Sequence, residues 1–344
     1  DNFNFLLTDG QKKRIDEILA TLLVFSEVRK SIKKIKKKRK KINKNILFDL
    51  SKKLNFKLTN DQNKVLDEIC NDLDSNNKMF RILQGDVGSG KTIVALITAL
   101  NVIKSGYQVA FMAPTEILAN QHYNLAKNIF PKNIEINVLT SKTDFKTKKI
   151  IEKKLSNGGI HIIFGTHSIF QKKIQFQNLG YIIIDEQHKF GVKQRKALSD
   201  KGGNNCDVLL MSATPIPRTL TMTVYGDMDL SIIREKPKSR KEIKTYSKID
   251  TKINDVVNFV KKEIKNDNQI FWVCPLIEES KKIDHQSAVK RYEYIKEIFP
   301  DDVSIIHGNI NSTEREKILE DFLNKKKKIL VSTTIIEVGI DFPN

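Results

Sequence analysis

The sequence predicts an α/β chain with two parallel-sheet domains in tandem, preceded by a long basic helix. Short runs that are apolar throughout, RILQG, QVAFMAP, HIIFGT, YIIIDE and DVLLMSA, recur from Phe80 onward between stretches of helical spacing. A run that is apolar at every position suits a strand buried on both faces, as in a parallel sheet. A second series, QIFWVCP, VSIIHG and KILVSTT, begins after GDMDLSIIREKPKSRKEI (Gly226 to Ile243). That polar, proline-bearing stretch reads as the connector between two sheets, with the boundary near Lys236 to Lys241. No short repeat of the solenoid kind is visible.

Upstream, Ile15, Ile18, Leu19, Leu22, Leu23, Val28, Ile32 and Ile35 fall at helical spacing, so Gln11 to Ile35 is expected to form one amphipathic helix. It runs into KKIKKKRKK (Lys33 to Lys41). That block reads either as a solvated helix end or linker, or as an arm that contacts phosphates. The expected division is a helical, basic segment over 1–54, a first α/β domain over 55–236 and a second, carboxy-terminally incomplete one over 237–344.

With 344 residues, 40% apolar and 29% charged, the chain can bury a sizeable core. No apolar run approaches the roughly 18 residues of a membrane span and no signal segment opens the chain, so a cytosolic location without membrane contact is expected. The first residue, Asp1, suggests a piece of a longer chain. Cys70, Cys206 and Cys274 lie far apart with no CxxC pair, which argues against disulfides and structural zinc and for buried thiols. A net charge of +19, from 60 Lys and Arg against 41 Asp and Glu, suits a polyanionic partner. The excess of lysine over arginine, with abundant Asn and Ile, is also what an AT-rich genome produces.

Gly85 to Thr92, GDVGSGKT, fits GxxxxGK[ST] between a predicted strand and the apolar helix IVALITALNVI. Gly85, Gly88 and Gly90 let the backbone turn tightly around Ser89, so that successive N–H groups converge and the helix adds its positive end to an anion cradle. Lys91 supplies a point charge for the β and γ phosphates, and the Thr92 hydroxyl is placed to ligate Mg²⁺. A second carboxylate centre follows the strand in YIIIDEQH (Tyr181 to His188). There Asp185 would hold Mg²⁺ and Glu186 would orient or deprotonate the attacking water. Alone, such a pair is as well explained by an acidic turn.

These two motifs resemble those of superfamily 2 helicases, and the segments around them resemble the RecG branch. The residues that carry the likeness are GDVGSGKT, APTEILANQH (Ala113 to His122), GTHSIF (Gly165 to Phe170), DEQHKFGV (Asp185 to Val192), MSATPIPRTL (Met211 to Leu220), WVCPLIEES (Trp272 to Ser280), HGNINSTERE (His307 to Glu316) and STTIIEVGIDFPN (Ser332 to Asn344). They cover nearly everything from Leu58 onward. The transcription-repair coupling translocase has a similar motor, but DEQHKFGV, APTEIL and WVCPLIEES lean toward RecG.

The resemblance implies a P-loop NTPase of two RecA-like domains, with ATP and Mg²⁺ as cofactors. It implies a monomeric bacterial translocase that remodels branched duplex DNA, such as stalled forks and Holliday junctions, with a single-stranded-DNA-binding protein as a further partner. Pro114, Thr115, Gly165, Thr166, His167, His307, Gly308 and Thr333 would line the nucleic-acid path, while His188, Ser212 and Thr214 would couple it to the nucleotide site. Glu337, Gly339 and Asp341 match the motif that approaches ribose and γ-phosphate, although Gly339 also suits a plain turn. Gln62 in LTNDQ (Leu58 to Gln62) would read adenine; with Thr59 it equally forms a capping box at the start of a helix. APT and SATP likewise suit a helix cap and a turn.

The resemblance further implies an arginine-bearing QxxGRxGR segment after Asn344, a wedge domain before the basic helix and a translocation hairpin beyond. Turnover by these 344 residues is therefore expected to be weak, and apolar faces around KILVSTT are expected to be exposed. Two readings from other classes remain open here: a nucleic-acid-binding module with a non-hydrolysing P-loop, and an RNA helicase on the same motor.

Overall fold

The computed structural model describes residues 36–43, 46, 50, 54, 56–171, 173–186, 203–213, 228–235, 243–249, 252–274, 281–307 and 310–333. The chain divides into two compact units, Asp1–Arg240 and Lys241–Asn344. The helix expected over Gln11 to Ile35 lies outside the described residues.

The first unit is built on seven strands: β1 (Phe80–Gly85), β2 (Gln108–Met112), β3 (Ile136–Leu139), β4 (Ile162–Gly165), β5 (Leu179–Ile184), β6 (Asp207–Ser212) and β7 (Asp229–Ile233). Their order is β3-β4-β2-β5-β6-β1-β7, and every pairing is parallel. The five runs read from the sequence are the five inner strands. Alternate residues feed two cores: Leu83, Phe111, Ile183 and Leu209 pack on one face, and Ile82, Ala110, Ile182 and Leu210 on the other. The period-two geometry of a strand requires that split, and it explains why these runs are apolar at every position.

Among the described residues, the α-helices of this unit are α1 (Asn60–Leu73), α2 (Lys91–Lys104), α3 (Glu116–Ile129) and α4 (Phe145–Ser156). Helix α2 is buried from Ile93 to Ile103, which its nearly unbroken apolar sequence permits. Polar caps start the others: Thr59 for α1, Thr115 for α3 and Asp144 for α4 each accept a backbone N–H with the side-chain oxygen.

Strands β3 and β7 were not read from the sequence. Both lie at sheet edges and are only partly covered, so neither needs an unbroken apolar run. Strand β7 falls inside the stretch read as connector.

The basic block is not solvated throughout. Residues 37–43 form no regular element, and Lys37 and Lys40 are buried rather than solvated. Their ammonium groups donate to Oδ2 of Asp207, at the start of β6, at 2.7 and 2.5 Å. A fully buried carboxylate is costly to desolvate and takes cations as partners. Backbone bonds from Lys37 to Asn76 and from Lys40 to Leu73 fix the segment beside the end of α1. Lys36, Lys38, Arg39 and Lys41 remain exposed.

The second unit holds β8 (Ile270–Val273), β9 (Val303–Ile306) and β10 (Ile329–Ser332), parallel in the order β8-β10-β9. Its helices are α5 (Ile253–Lys265), α6 (Lys281–Ile298) and α7 (Ser312–Leu323). Val257, Val260, Ile295, Phe299, Ile329 and Val331 form its core. The exposed apolar face expected around KILVSTT is not found, because β10 lies between two partners and Ile329, Leu330 and Val331 are fully buried. Exposed apolar side chains of this unit lie at Phe271 and Val273 on the edge strand β8, at Phe259 on α5 and at Ile243, Tyr246 and Ile249 ahead of it. Cys206 and Cys274 are buried thiols, whereas Cys70 on α1 is only half-buried. Among the described residues no helix is long and apolar enough to cross a membrane.

Candidate functional site

A parallel sheet collects the carboxyl ends of its strands along one edge, and the loops leaving that edge hold most of the expected site. Register places the ends side by side. Met112 pairs with Gly165 and with Ile184, Ile184 with Leu210, and Gln84 with Ser212.

The loop from β1 to α2 makes two left-handed steps, at Gly88 (φ +75°) and Gly90 (φ +87°), which side chains with a Cβ rarely adopt. A Cβ on Gly90 would also collide with the amide nitrogen of Gln62. At Gly85 it would stand 2.5 Å from Ser89 Oγ and 3.2 Å from the Ile233 carbonyl oxygen. The Ser89 hydroxyl is buried without a hydrogen-bond partner, and α2 begins directly after the loop. An unpartnered buried hydroxyl costs roughly 1–3 kcal/mol unless something completes it, and converging N–H groups at a helix start attract an anion. The loop fits a nucleotide's phosphates.

Lys91 lies 9% exposed, its ammonium donating to the carbonyls of Gly85 at 2.7 Å and Asp86 at 3.1 Å. Burial pushes its pKa below the ordinary 10.5, opposed by the negative charges of Asp185, Glu186 and Asp86. Sheet order and this charge coupling bring the phosphate loop and the acidic pair into one neighbourhood. Thr92 follows at the second position of α2, half-buried.

Asp185 and Glu186 directly follow β5, both buried. The Asp185 N–H donates to the Met112 carbonyl at 2.8 Å, extending the β5–β2 ladder by one residue. Glu186 then turns into the left-handed region at φ +48°, a conformation costing a non-glycine residue about 1–2 kcal/mol. The turn lets its N–H cap Asp185 Oδ1 at 3.0 Å. Asp185 Oδ2 lies 2.8 Å from Nε2 of His122, on α3. In the sequence His122 closes APTEILANQH without a role of its own. Its signal was a histidine on the helix face that otherwise carries Leu118, Ala119 and Ala126 into the core.

Gln62 satisfies the capping box: it donates its N–H to Thr59 Oγ1 at 3.2 Å and accepts the Thr59 N–H at 2.9 Å. Its amide nitrogen also donates to the Ser89 carbonyl at 2.7 Å. The helix cap and the phosphate loop are thus tied through one side chain.

Pro114 and Thr115 leave β2, and Gly165, Thr166 and His167 leave the adjacent β4. Thr115 Oγ1 accepts the Leu118 N–H at 3.3 Å, and Thr166 Oγ1 lies 3.3 Å from Ser168 Oγ. Gly165 has a packing reason to lack a side chain, since a Cβ there would overlap the Leu139 carbonyl. His167 is exposed at the rim. Ser212 ends β6, fully buried, between the strands that carry the phosphate loop and the acidic pair.

In the second unit, Ile306 pairs with Ser332, so His307 and Thr333 follow neighbouring strand ends. The Thr333 N–H donates to the Ile306 carbonyl at 3.4 Å, and its hydroxyl is buried without a hydrogen-bond partner. His188, Thr214, Gly308, Glu337, Gly339 and Asp341 lie outside the described residues.

Residues 59–223 match the DEAD/DEAH box helicase family, and residues 251–344 match the helicase conserved C-terminal domain. The chain is 45% identical over 341 residues to "ATP-dependent DNA helicase RecG" of Aquifex aeolicus, covering 98% of this chain and 43% of that protein. The protein of the same name from Thermotoga maritima is 45% identical over 331 residues, covering 95% and 42%. A solved structure described as RecG bound to a three-way DNA junction superimposes with a TM-score of 0.83 at 39% identity, covering 97% of this chain and 44% of that one. The chain thus spans less than half the length of these relatives. With two RecA-like units, a phosphate loop and an acidic pair at one sheet edge, and these matches along nearly its whole length, the chain belongs to the RecG family of helicases.

Proposed function

We propose that this chain is the motor of an ATP-dependent DNA translocase that remodels branched duplex DNA. The observation that carries the reading is the single sheet edge, where the phosphate loop, Asp185 and Glu186 adjoin the loops of Pro114, Thr115, Gly165, Thr166 and His167. Nucleotide chemistry and backbone grip would share one rigid scaffold.

Lys91 would leave the carbonyls of Gly85 and Asp86 for the β and γ phosphates, regaining a full countercharge. Backbone N–H groups of Gly88 to Thr92 and the Ser89 hydroxyl would hold the phosphates, with Gln62 holding the loop from behind. Thr92 and Asp185 would hold Mg²⁺. When bound, that ion would neutralise charge developing on the transferred phosphoryl group. Glu186 would orient the attacking water and accept its proton. Ser212, on the strand between the two centres, would pass a change at the phosphates to the neighbouring strand ends. In the second unit, His307 and Thr333 would supply further contacts to the nucleic-acid backbone. DNA phosphates rather than bases would be gripped, making binding sequence-tolerant and salt-dependent.

Branched DNA belongs to the same proposal, supported by the solved RecG structure described as bound to a three-way DNA junction, and a bacterial setting by the organisms of the relatives; a single-stranded-DNA-binding partner, a monomeric state and a cytoplasmic location are carried over from the family resemblance alone. The test is DNA binding as a function of nucleotide. Affinity for a three-way junction is expected to differ severalfold between ADP and a hydrolysis-resistant ATP analogue, and to exceed that for a linear duplex. Equal affinity in both states, or stronger binding to duplex RNA, would contradict it.

A further inference from the structure

The His122–Asp185 contact is a buried polar pair outside every role assigned so far. Asp185 has two carboxylate oxygens, and each is held by one donor: Oδ1 by the Glu186 N–H at 3.0 Å and Oδ2 by His122 Nε2 at 2.8 Å. An ionised carboxylate can only accept, so with Asp185 charged His122 Nε2 is the donor in this bond. Each oxygen keeps a lone pair for another partner, while rotation of the carboxylate is blocked from both sides.

The imidazole is itself held. It stands on α3, 7% exposed, with its ring 4.8 Å from that of Phe111, which points off β2 into the same core. Helix α3 starts at the cap of Thr115, and His122 follows seven residues later, two turns along the same face. A histidine serving only the core would need no carboxylate at the sheet edge that carries the phosphate loop. Any buried polar partner would satisfy it.

We propose that His122 is a positioning residue that fixes the Asp185 carboxylate for the metal and ties it to helix α3. This rests on the reading of Asp185 as a metal carboxylate. Partners that orient a ligating carboxylate typically change metal affinity roughly 10–100-fold when removed. A partner that merely fills the core changes stability alone.

The test compares His122→Gln, whose amide nitrogen falls near the Nε2 position, with His122→Asn, whose amide cannot reach Asp185. Binding of a fluorescent ATP analogue is followed with Mg²⁺ varied and again in EDTA, with thermal unfolding as the control for folding. His122→Asn is expected to raise the Mg²⁺ concentration at half-saturation roughly tenfold or more, and His122→Gln less than about threefold. Binding in EDTA should agree within about twofold for all three proteins. If His122→Asn lacks a cooperative unfolding transition, His122→Leu replaces it, filling the space beside Phe111 without a donor, with the same expected shift. Unchanged Mg²⁺ midpoints, an equal shift for Gln and Asn, or a loss that appears equally in EDTA would each overturn the proposal. Lys91→Ala is run alongside: if it binds the analogue as well as the parent chain, the nucleotide-site reading itself fails. Normal Lys91 dependence with an unmoved His122→Asn midpoint removes only the positioning role.

Discussion

Lys37 Nζ lies 2.7 Å from Asp207 Oδ2 with both side chains withdrawn from solvent, and Lys40 reaches the same oxygen from three residues further along. One carboxylate thus compensates two buried ammonium groups, at the amino end of β6 and so away from the nucleotide edge. Removing it leaves two uncompensated charges. Asp207→Asn is expected to destabilise the first unit by about 3–5 kcal/mol near neutral pH. Lys37→Glu should do comparable damage, whereas Lys38→Glu, at an exposed neighbour, should leave the urea midpoint almost unchanged.

The same cluster sets a pH dependence. Burial lowers the Lys37 pKa below 10.5, opposed mainly by Asp207. Between the folded and unfolded values the unfolded chain holds a proton that the folded chain has released, so this group's contribution to stability rises with pH through that window. Asp207→Asn removes the main opposing charge and widens the window downward. Its stability deficit, measured by urea unfolding at about pH 7 and about pH 9.5, should shrink at the higher pH. A deficit independent of pH would show that Lys37 does not titrate there.

Gly90→Ala meets two obstacles, the left-handed φ and the Gln62 amide. It should cost about 1–2 kcal/mol from the backbone alone, together with most nucleotide binding. Adding Gln62→Ala removes the collision and leaves the φ penalty. The double variant should therefore be less impaired than the two single effects summed, as a double-mutant cycle in unfolding would read.

Gln62→Glu keeps an oxygen for the Thr59 N–H but sets another against the Ser89 carbonyl that the amide now reaches. Helix stability should hold, while nucleotide affinity falls roughly tenfold, in line with loss of a buried hydrogen bond and a new repulsion. Each amide atom has one partner within the fold and keeps a second hydrogen-bonding position, so an equal loss for ATP and GTP would assign the side chain to supporting the loop. A selective loss of ATP would instead favour adenine contact by this side chain.

Glu186→Gly relieves the strained backbone at φ +48°. It is expected to leave the unfolding midpoint equal or higher while abolishing whatever ATP turnover the chain supports. A lowered midpoint would mean that the carboxylate contributes more to folding than its conformation costs.

Much of the nucleotide edge was legible because its constraints are local. Glycines at 88 and 90 answer to backbone geometry and Gly85 to the close approach of Ser89 and Ile233, and the five inner strands had to be apolar throughout. What escaped depended on partners distant in sequence. Lys37 and Lys40 looked like part of a solvated run because Asp207, some 170 residues away, decides their environment. Strands β3 and β7 lie at edges, where half-coverage weakens the pattern. His122 sits at core spacing on α3, and only the turn after β5 shows what it faces. Gln62 showed a cap and a nucleotide contact in one motif, and the fold realises the cap while directing the same amide to the phosphate loop.

The most direct measurement is calorimetric titration of Mg²⁺–ATP into the chain and into Lys91→Ala. The expected result is saturable binding to the parent chain, weakened at least about tenfold in Lys91→Ala, as loss of a charge-assisted phosphate contact requires. Equal affinity in the two proteins would contradict the assignment of this sheet edge as the ATP site.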